Sequence, residues 1–301
     1  MERVPVARLA NDHDLNLVVH TVRGSRPGPK LAMFGSVHGD EPLGSETIRR
    51  VLTQLDPAGL RGTIVAVPVA NPYAHQALTR STPLDGVNMN RIFPGSPDGS
   101  VTERLADTLA GILRQDVTHF VDYHSGGNFA LVDYSYIHEP GAEMSRAFGR
   151  HVLYSGPGYE GTSSGYALSL GIATMVSELG GGSQRITEYL EHGIRGTFNM
   201  MRAIGMLDGD PAPPPGDQIV VETLTVVRPT TGGVLLSEFG ASTVGQRVPA
   251  GTVLGRIVSA ATFEELEVLR APYDPSILIL VREPVTHVAP GDYGFMVADG
   301  S

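Results

Sequence analysis

The sequence predicts an α/β protein with a mixed, mostly parallel sheet flanked by helices, followed by a smaller all-β segment. Three observations predict it. Residues 30–37 and 63–70 are apolar at nearly every position, as in strands buried on both faces. Strand-like runs at 119–124 and 172–177 alternate along the chain with helical spacing at 43–55, 101–115 and 185–206. Beyond a proline-rich stretch at 210–216 the chain changes to short β-type runs separated by glycine and proline turns.

Taken in order, residues 15–23 alternate and run into a glycine, which reads as a strand. The strand at 30–37 leads directly into His38-Gly39-Asp40-Glu41-Pro42, and proline suits the first turn of a helix. Leu43, Thr47, Ile48, Val51, Leu52 and Leu55 then recur at helical spacing, so His38 and Glu41 fall on a strand-to-helix turn. The strand at 63–70 ends at Asn71-Pro72. Residues 79–99, rich in Pro, Gly, Asp and Asn, read as a long irregular loop, and such loops are often functional. An amphipathic helix over 101–115 precedes the strand 119–124, which is followed by Ser125-Gly126-Gly127. The strand at 172–177 is followed by Glu178-Leu179-Gly180-Gly181-Gly182. The stiff segment 210–216 divides the chain into domains at 1–210 and 218–301.

Composition narrows the function. With 301 residues, 41% hydrophobic and 18% charged, the chain has the material for a large apolar core. No apolar run reaches the roughly 18 residues of a membrane helix, and the first residues lack the pattern of a signal peptide. There is no cysteine, so disulfides, thiolate zinc sites and cysteine nucleophiles are excluded, and a metal would rest on His, Asp or Glu. Together these features point to the cytoplasm. The net charge is −10, Lys30 is the only lysine and the arginines are scattered, which argues against nucleic acid as a partner. An anionic substrate would need arginines placed locally. A homo-oligomer is left open.

In open α/β sheets, ligands bind beyond the carboxyl ends of the strands. His38 and Glu41, His124, and Glu178 all fall at that edge. Two His and a Glu, with an open position for water and a further carboxylate to move protons, are the inventory of a catalytic zinc site. Each also has a plain reading taken alone: a helix-start pair, a hydrogen-bonded structural histidine, an exposed loop acid. Asp122 lies two residues before His124 and shares its strand face, where it either orients an imidazole or makes a structural hydrogen bond. The other histidines have no comparable context. Gly35-Ser36-Val37-His38-Gly39 fits neither a dinucleotide fingerprint nor a phosphate loop.

Four segments carry a resemblance: Gly35–Pro42, Asn88-Met89-Asn90-Arg91-Ile92-Phe93-Pro94-Gly95, Asp122-Tyr123-His124-Ser125-Gly126-Gly127, and Glu178–Gly182. In this order and spacing they resemble the aspartoacylase/succinylglutamate desuccinylase family, a branch of the zinc carboxypeptidase fold. The resemblance covers residues 30–206. It implies a zinc-carboxypeptidase-like catalytic domain in which His38, Glu41 and His124 bind one zinc ion per chain. Glu178 would act as general base and then general acid. Asn90 and Arg91 would hold a substrate carboxylate, for which a planar guanidinium is suited. Arg80 would polarise the scissile carbonyl.

Residues 228–258 and 270–298 resemble the two halves of a biotinyl/lipoyl-like sandwich, yet this segment has no lysine to which such a cofactor could be attached. By resemblance it would wall the substrate channel. The implied activity is zinc-dependent hydrolysis of the amide bond of a small N-acylated amino acid or acylated diamino acid. A zinc carboxypeptidase acting on short peptides would share the metal site. A non-catalytic metal or ligand-binding protein would have no use for Glu178 as a proton shuttle.

Overall fold

The computed structural model describes residues 1–182 and 185–301. Its first part runs β1 (Glu2–Arg8), β2 (Asp14–Arg23), β3 (Arg26–Phe34), α1 (Leu43–Gln54), β4 (Arg61–Val67), α2 (Pro72–Ala77), α3 (Val101–Leu113), β5 (His119–His124), β6 (Ala130–Tyr136), α4 (Ala142–Phe148), β7 (Val152–Tyr154), α5 (Ser163–Ser169), β8 (Ala173–Gly180) and α6 (Ile186–Ala203). The second part is all-β apart from one short 3-10 turn: β9 (Ile219–Val221), β10 (Leu224–Val227), β11 (Gly233–Ser237), β12 (Arg247–Val248), β13 (Val253–Val258), β14 (Glu265–Arg270), β15 (Ser276–Arg282), β16 (Val285–Val288) and β17 (Phe295–Asp299).

A large mixed sheet has the strand order β1-β2-β4-β3-β5-β8-β6-β15-β17-β10. Its centre, β4-β3-β5-β8, is parallel, and helices cover both faces, as the apolar runs imply. Along β3 the side chains alternate between two cores. Leu31 and Met33 pack with Ile48, Val51, Met200 and Met201 from α1 and α6. Ala32 and Phe34 pack with Leu105, Leu109 and Ala167 from α3 and α5. Helix α3 starts at a capping box, in which the Ser100 hydroxyl accepts from the Glu103 N–H and the Glu103 carboxylate accepts from the Ser100 N–H.

The sheet is mixed, as expected, and its antiparallel pairs lie on the flanks. β2 is antiparallel to β4, β6 to β8, and β15 to β6. Apolar periodicity reports burial and is blind to strand direction, so only the central strands were readable as parallel. β3 also ends at Phe34, earlier than expected, and β8 runs through to Gly180, which puts Glu178 inside the strand. In the second part, β9 pairs with β7 and β15 with β6, extending the same sheet. A separate four-stranded sheet, β14-β13-β11-β16, faces that extension. Leu235, Leu254, Ile257 and Leu269 from it share a core with Leu278, Phe295 and Val297.

Candidate metal centre and substrate cavity

The turn after β3 is held by backbone bonds to the exit of β4: the Gly35 N–H donates to Val67, the Ala70 N–H to Gly35 and the Asn71 N–H to Ser36. A Cβ at Gly39 would lie 1.8 Å from the Ala74 carbonyl carbon of α2, so only glycine lets the turn pack here. The turn delivers His38 and Glu41 to the end of β5, where His124 closes the strand. Pro42 occupies the N-cap of α1, one residue before the position expected.

There the expected metal ligands meet. His38, Glu41 and His124 are 2%, 2% and 5% exposed, and one ligand atom from each lies within 4.8 Å of the others, a group that could hold a metal ion. Both imidazoles turn Nδ1 inward: His38 Nδ1 is 3.0 Å from Glu41 Oε1 and His124 Nδ1 is 2.8 Å from Glu41 Oε2. Their outer nitrogens have partners of their own, His38 Nε2 at 3.1 Å from Asn88 Oδ1 and His124 Nε2 at 3.1 Å from Asp122 Oδ2. An acceptor on the outer nitrogen fixes the proton there and leaves the inner lone pair for a cation. The Ser125 N–H also donates to Glu41 Oε2. Burial opposes charge at Glu41, but His38 and His124 outweigh it and hold the carboxyl well below its usual range. Burial opposes charge at His124 too, and Asp122 and Glu41 overcome it, raising the imidazole well above its ordinary value. Two nitrogens and a carboxylate oxygen converging in this way fit the donor chemistry of zinc, with a coordination position to spare.

The remaining sequence-derived residues surround this cluster. Glu178 sits directly opposite His124 in the β5–β8 ladder. Burial pushes its carboxyl up to about 8, although His124 pulls the other way. Arg80 donates to Glu41 Oε1 at 3.0 Å and lies 3.3 Å from His38 Nδ1. Asp122 is fully buried, and the oxygen that meets His124 also accepts from the Ser163 hydroxyl. Asn90 is buried, with Oδ1 accepting from the Ser163 N–H at 2.9 Å and Nδ2 at 3.2 Å from His124 Nε2. Its amide thus faces the imidazole as well as the cavity. Arg91 is exposed, donates to the Asn90 carbonyl oxygen at 2.6 Å and lies over the Tyr159 ring at 4.5 Å.

All but Asp122 line one cavity of about 750 Å³. Its floor is a face of the sheet, with Val176 and Glu178 on β8, Val132 and Tyr134 on β6, and Leu280 on β15. The second part of the chain contributes a wall: Tyr293 lines the cavity, and its hydroxyl is 3.2 Å from that of Tyr159. Reasoning from the sequence missed Asn88, Ser163, Tyr159, Arg282 and Tyr293. Asn88 stood inside a recognised segment, but nothing local marked it as the partner of His38. The others reach the site through pairings between segments far apart in the chain. Asp40, beside the cluster, has one buried carboxylate oxygen with no partner, and burial raises its carboxyl to about 6. Among the described residues, no helix is long and apolar enough to cross a membrane.

Comparison with known proteins agrees with this arrangement. Residues 27–204 match the family model of the succinylglutamate desuccinylase/aspartoacylase catalytic domain. The N-alpha-acetyl-L-2,4-diaminobutyric acid deacetylase of Halomonas elongata is 29% identical over 239 residues, 73% of this chain and 68% of that protein. The crystal structure of a succinylglutamate desuccinylase/aspartoacylase from Rhodobacter sphaeroides superposes with a TM-score of 0.85 at 25% identity, covering 99% of this chain and 94% of the other. The product-bound ectoine utilization protein EutE (DoeB) from Ruegeria pomeroyi, at 22% identity, has the same fold, with a TM-score of 0.86 over 99% of this chain and 93% of its own.

Proposed function

We propose a function from this premise: the chain belongs to the succinylglutamate desuccinylase/aspartoacylase family. It is a zinc-dependent hydrolase that cleaves the amide bond of a small N-acylated amino acid or acylated diamino acid. One observation carries the reading: inward-facing nitrogens of His38 and His124 converge with the Glu41 carboxylate beside a further buried-site acid, Glu178. The Halomonas relative, named a deacetylase of an acylated diamino acid, supports the substrate class.

Zinc, when bound, supplies Lewis acidity and lowers the pKa of water at its open position to about 7. The chain's own residues do the rest. Glu178, as a carboxylate, takes a proton from the attacking water; burial favours the acid so formed, which delivers the proton to the departing amine, and the amine must leave protonated. Arg80 brings a cation to the place where the oxyanion develops. Arg91 offers its fork to the substrate carboxylate, with Asn90 beneath it. Asp122 keeps the His124 ring oriented. The Tyr159–Tyr293 contact narrows the space for a long peptide, which favours small substrates over a carboxypeptidase role. Face-to-face packing of two sheets around Leu235, Leu254 and Phe295 supports the sandwich reading of residues 218–301 as a domain that walls the channel.

The experiment is a hydrolysis screen of N-acyl amino acids, acylated diamino acids and short peptides, with zinc-loaded and chelated protein. Zinc-dependent release of amine from the acylated amino acids is expected. Release from peptides alone would transfer the assignment to the carboxypeptidase reading.

A further inference from the structure

The cavity continues past the metal centre along the sheet. Tyr134 of β6 stands opposite Glu178 of β8, and the two strands are antiparallel, so the next cavity-facing residues of both lead away from the metal ligands together. Val176 and Thr174 follow on β8, and Tyr136 and His138 on β6 and just beyond it; all four line the cavity. Helix α5 supplies another wall. It starts beside the carboxylate anchor, where the Ser163 N–H donates to Asn90, and Leu168 lines the cavity about 7.5 Å further along its axis. The polar groups of this arm are satisfied from within. The Thr174 hydroxyl donates to the Ile172 carbonyl, the Tyr134 hydroxyl to that of Tyr136, and the Ser169 hydroxyl to the Tyr166 carbonyl. Tyr136 is held edge-on to Tyr154 at 5.2 Å and tilted on His138 at 5.9 Å, and burial keeps the His138 imidazole below its ordinary pKa. Among the described cavity-lining residues of β6, β8 and α5, Glu178 alone has a charge to offer, at the inner end.

We propose that this arm takes the side chain of the substrate amino acid, and that the protein prefers N-acyl amino acids whose side chain is large and uncharged, above all aromatic. The proposal rests on the deacylase reading of the same site and narrows it. With the scissile amide at the metal centre and the carboxylate on Arg91, the side chain leaves from the carbon between them, where the arm opens beside Glu178 and the start of α5. Val176 lies two residues from Glu178, roughly 7 Å along the strand, within reach of one side chain. A ring there would rest on Val176, between Leu168 and the fixed ring of Tyr136. A carboxylate or ammonium in the same place would lose its water and gain no counter-charge except Glu178, which proton transfer occupies. Size agrees: at about 750 Å³ the cavity falls within the range of about 300–1,000 Å³ that encloses ligands well beyond a short acylated amino acid.

The test measures kcat/KM of the zinc-loaded protein on four substrates: N-acetyl-L-phenylalanine, N-acetylglycine, N-acetyl-L-aspartate and Nα-acetyl-L-2,4-diaminobutyrate. The phenylalanine compound should exceed N-acetylglycine about 10- to 100-fold, the worth of burying one large apolar side chain, and should exceed both charged compounds. A charged compound that equals or outruns it overturns the proposal. L168D places a carboxylate in the arm and should remove most of the preference for phenylalanine over glycine, with L168N as the replacement if L168D does not fold. A preference that survives in the folded variant also overturns the proposal. A second measurement needs no turnover: thermal shifts of the metal-depleted protein with L-phenylalanine, L-aspartate and L-2,4-diaminobutyrate. L-phenylalanine should raise the Tm of wild type most, and L168D should lose that gain. Leu168-dependent protection by L-phenylalanine without hydrolysis of any acyl compound would sink the deacylase reading and leave the arm standing. Hydrolysis of all four with no advantage for phenylalanine would do the reverse.

Discussion

Replacing Asp122 by asparagine removes one charge from the metal centre while nearly preserving shape. Asp122 is fully buried, 3.1 Å from His124 Nε2, and takes the Ser163 hydroxyl on the same oxygen. Its other oxygen has no partner. In D122N the amide has two arrangements. If its NH2 faces His124, donor meets donor, and the imidazole must move its proton to Nδ1, the nitrogen that faces Glu41. If its oxygen faces His124, the ring keeps its tautomer, but the neutral acceptor is weaker and no longer stabilises positive charge at the ring. Either way the lone pair offered at Nδ1 is poorer. Losses of outer partners to metal-bound histidines typically cost about 10–100-fold in metal affinity, or roughly 1.4–2.7 kcal/mol. A zinc titration against a competing chelator reads this directly, with thermal melts of the metal-free proteins as the control for folding. An unchanged zinc affinity in a well-folded D122N would refute the role given to Asp122.

Three further variants test the same reasoning. E178Q should retain zinc and lose about 10²–10⁴ in kcat, measured with saturating metal, and normal turnover would remove Glu178 from proton transfer. The same variant has a signature in the metal-free protein. The folded pKa of about 8 lies above the ordinary 4.5, so between those pH values the folded chain keeps a proton that the unfolded chain releases, and stability falls as pH rises. E178Q should therefore gain Tm over wild type more at pH 8 than at pH 5, and a constant difference would contradict the buried, protonated state. Arg91→Ala should raise KM about 10–100-fold for substrates with a free carboxylate and spare neutral acyl amides, an equal effect on both being the failing result. Ser100→Ala, which opens the capping box of α3, should cost about 1 kcal/mol in urea unfolding with an unchanged m-value.

The site was legible where its residues are close in the chain or share a period. The strand-to-helix turn placed His38 three residues from Glu41, and the two-residue period placed Asp122 under His124. Glu178 was found for the right edge of the sheet, although it lies within β8 and not beyond it. The parallel centre was legible because β3 and β4 are buried on both faces. The antiparallel flanks were not, since a half-buried strand such as β2 has the same pattern in either direction. Arg282 and Tyr293 were invisible for a different reason. β15 joins β6 across about half the length of the chain, and no local signal in Ser276–Arg282 says which strand it will meet. Asn90 was assigned to the substrate, and the structure shows its Oδ1 accepting from the Ser163 N–H, with Nδ2 lying 3.2 Å from His124 Nε2.

The pairing of β15 with β6 also bears on how such proteins can be cut and recombined. β6 has β8 on one side, while β15 pairs with its first residues, Ala130–Val132, and β7 with its last, Ser135 and Tyr136. A fragment ending near Gly209 would leave Ala130–Val132 of β6 with open amide and carbonyl groups beside apolar side chains. An unguarded edge of that kind recruits strands from neighbouring molecules. Exchanging the last third of the chain between relatives would change the seal on this edge and the chemistry of the cavity wall in one step. Chimeras would then have to match the Leu280–Val132 register before any shift in selectivity could be measured.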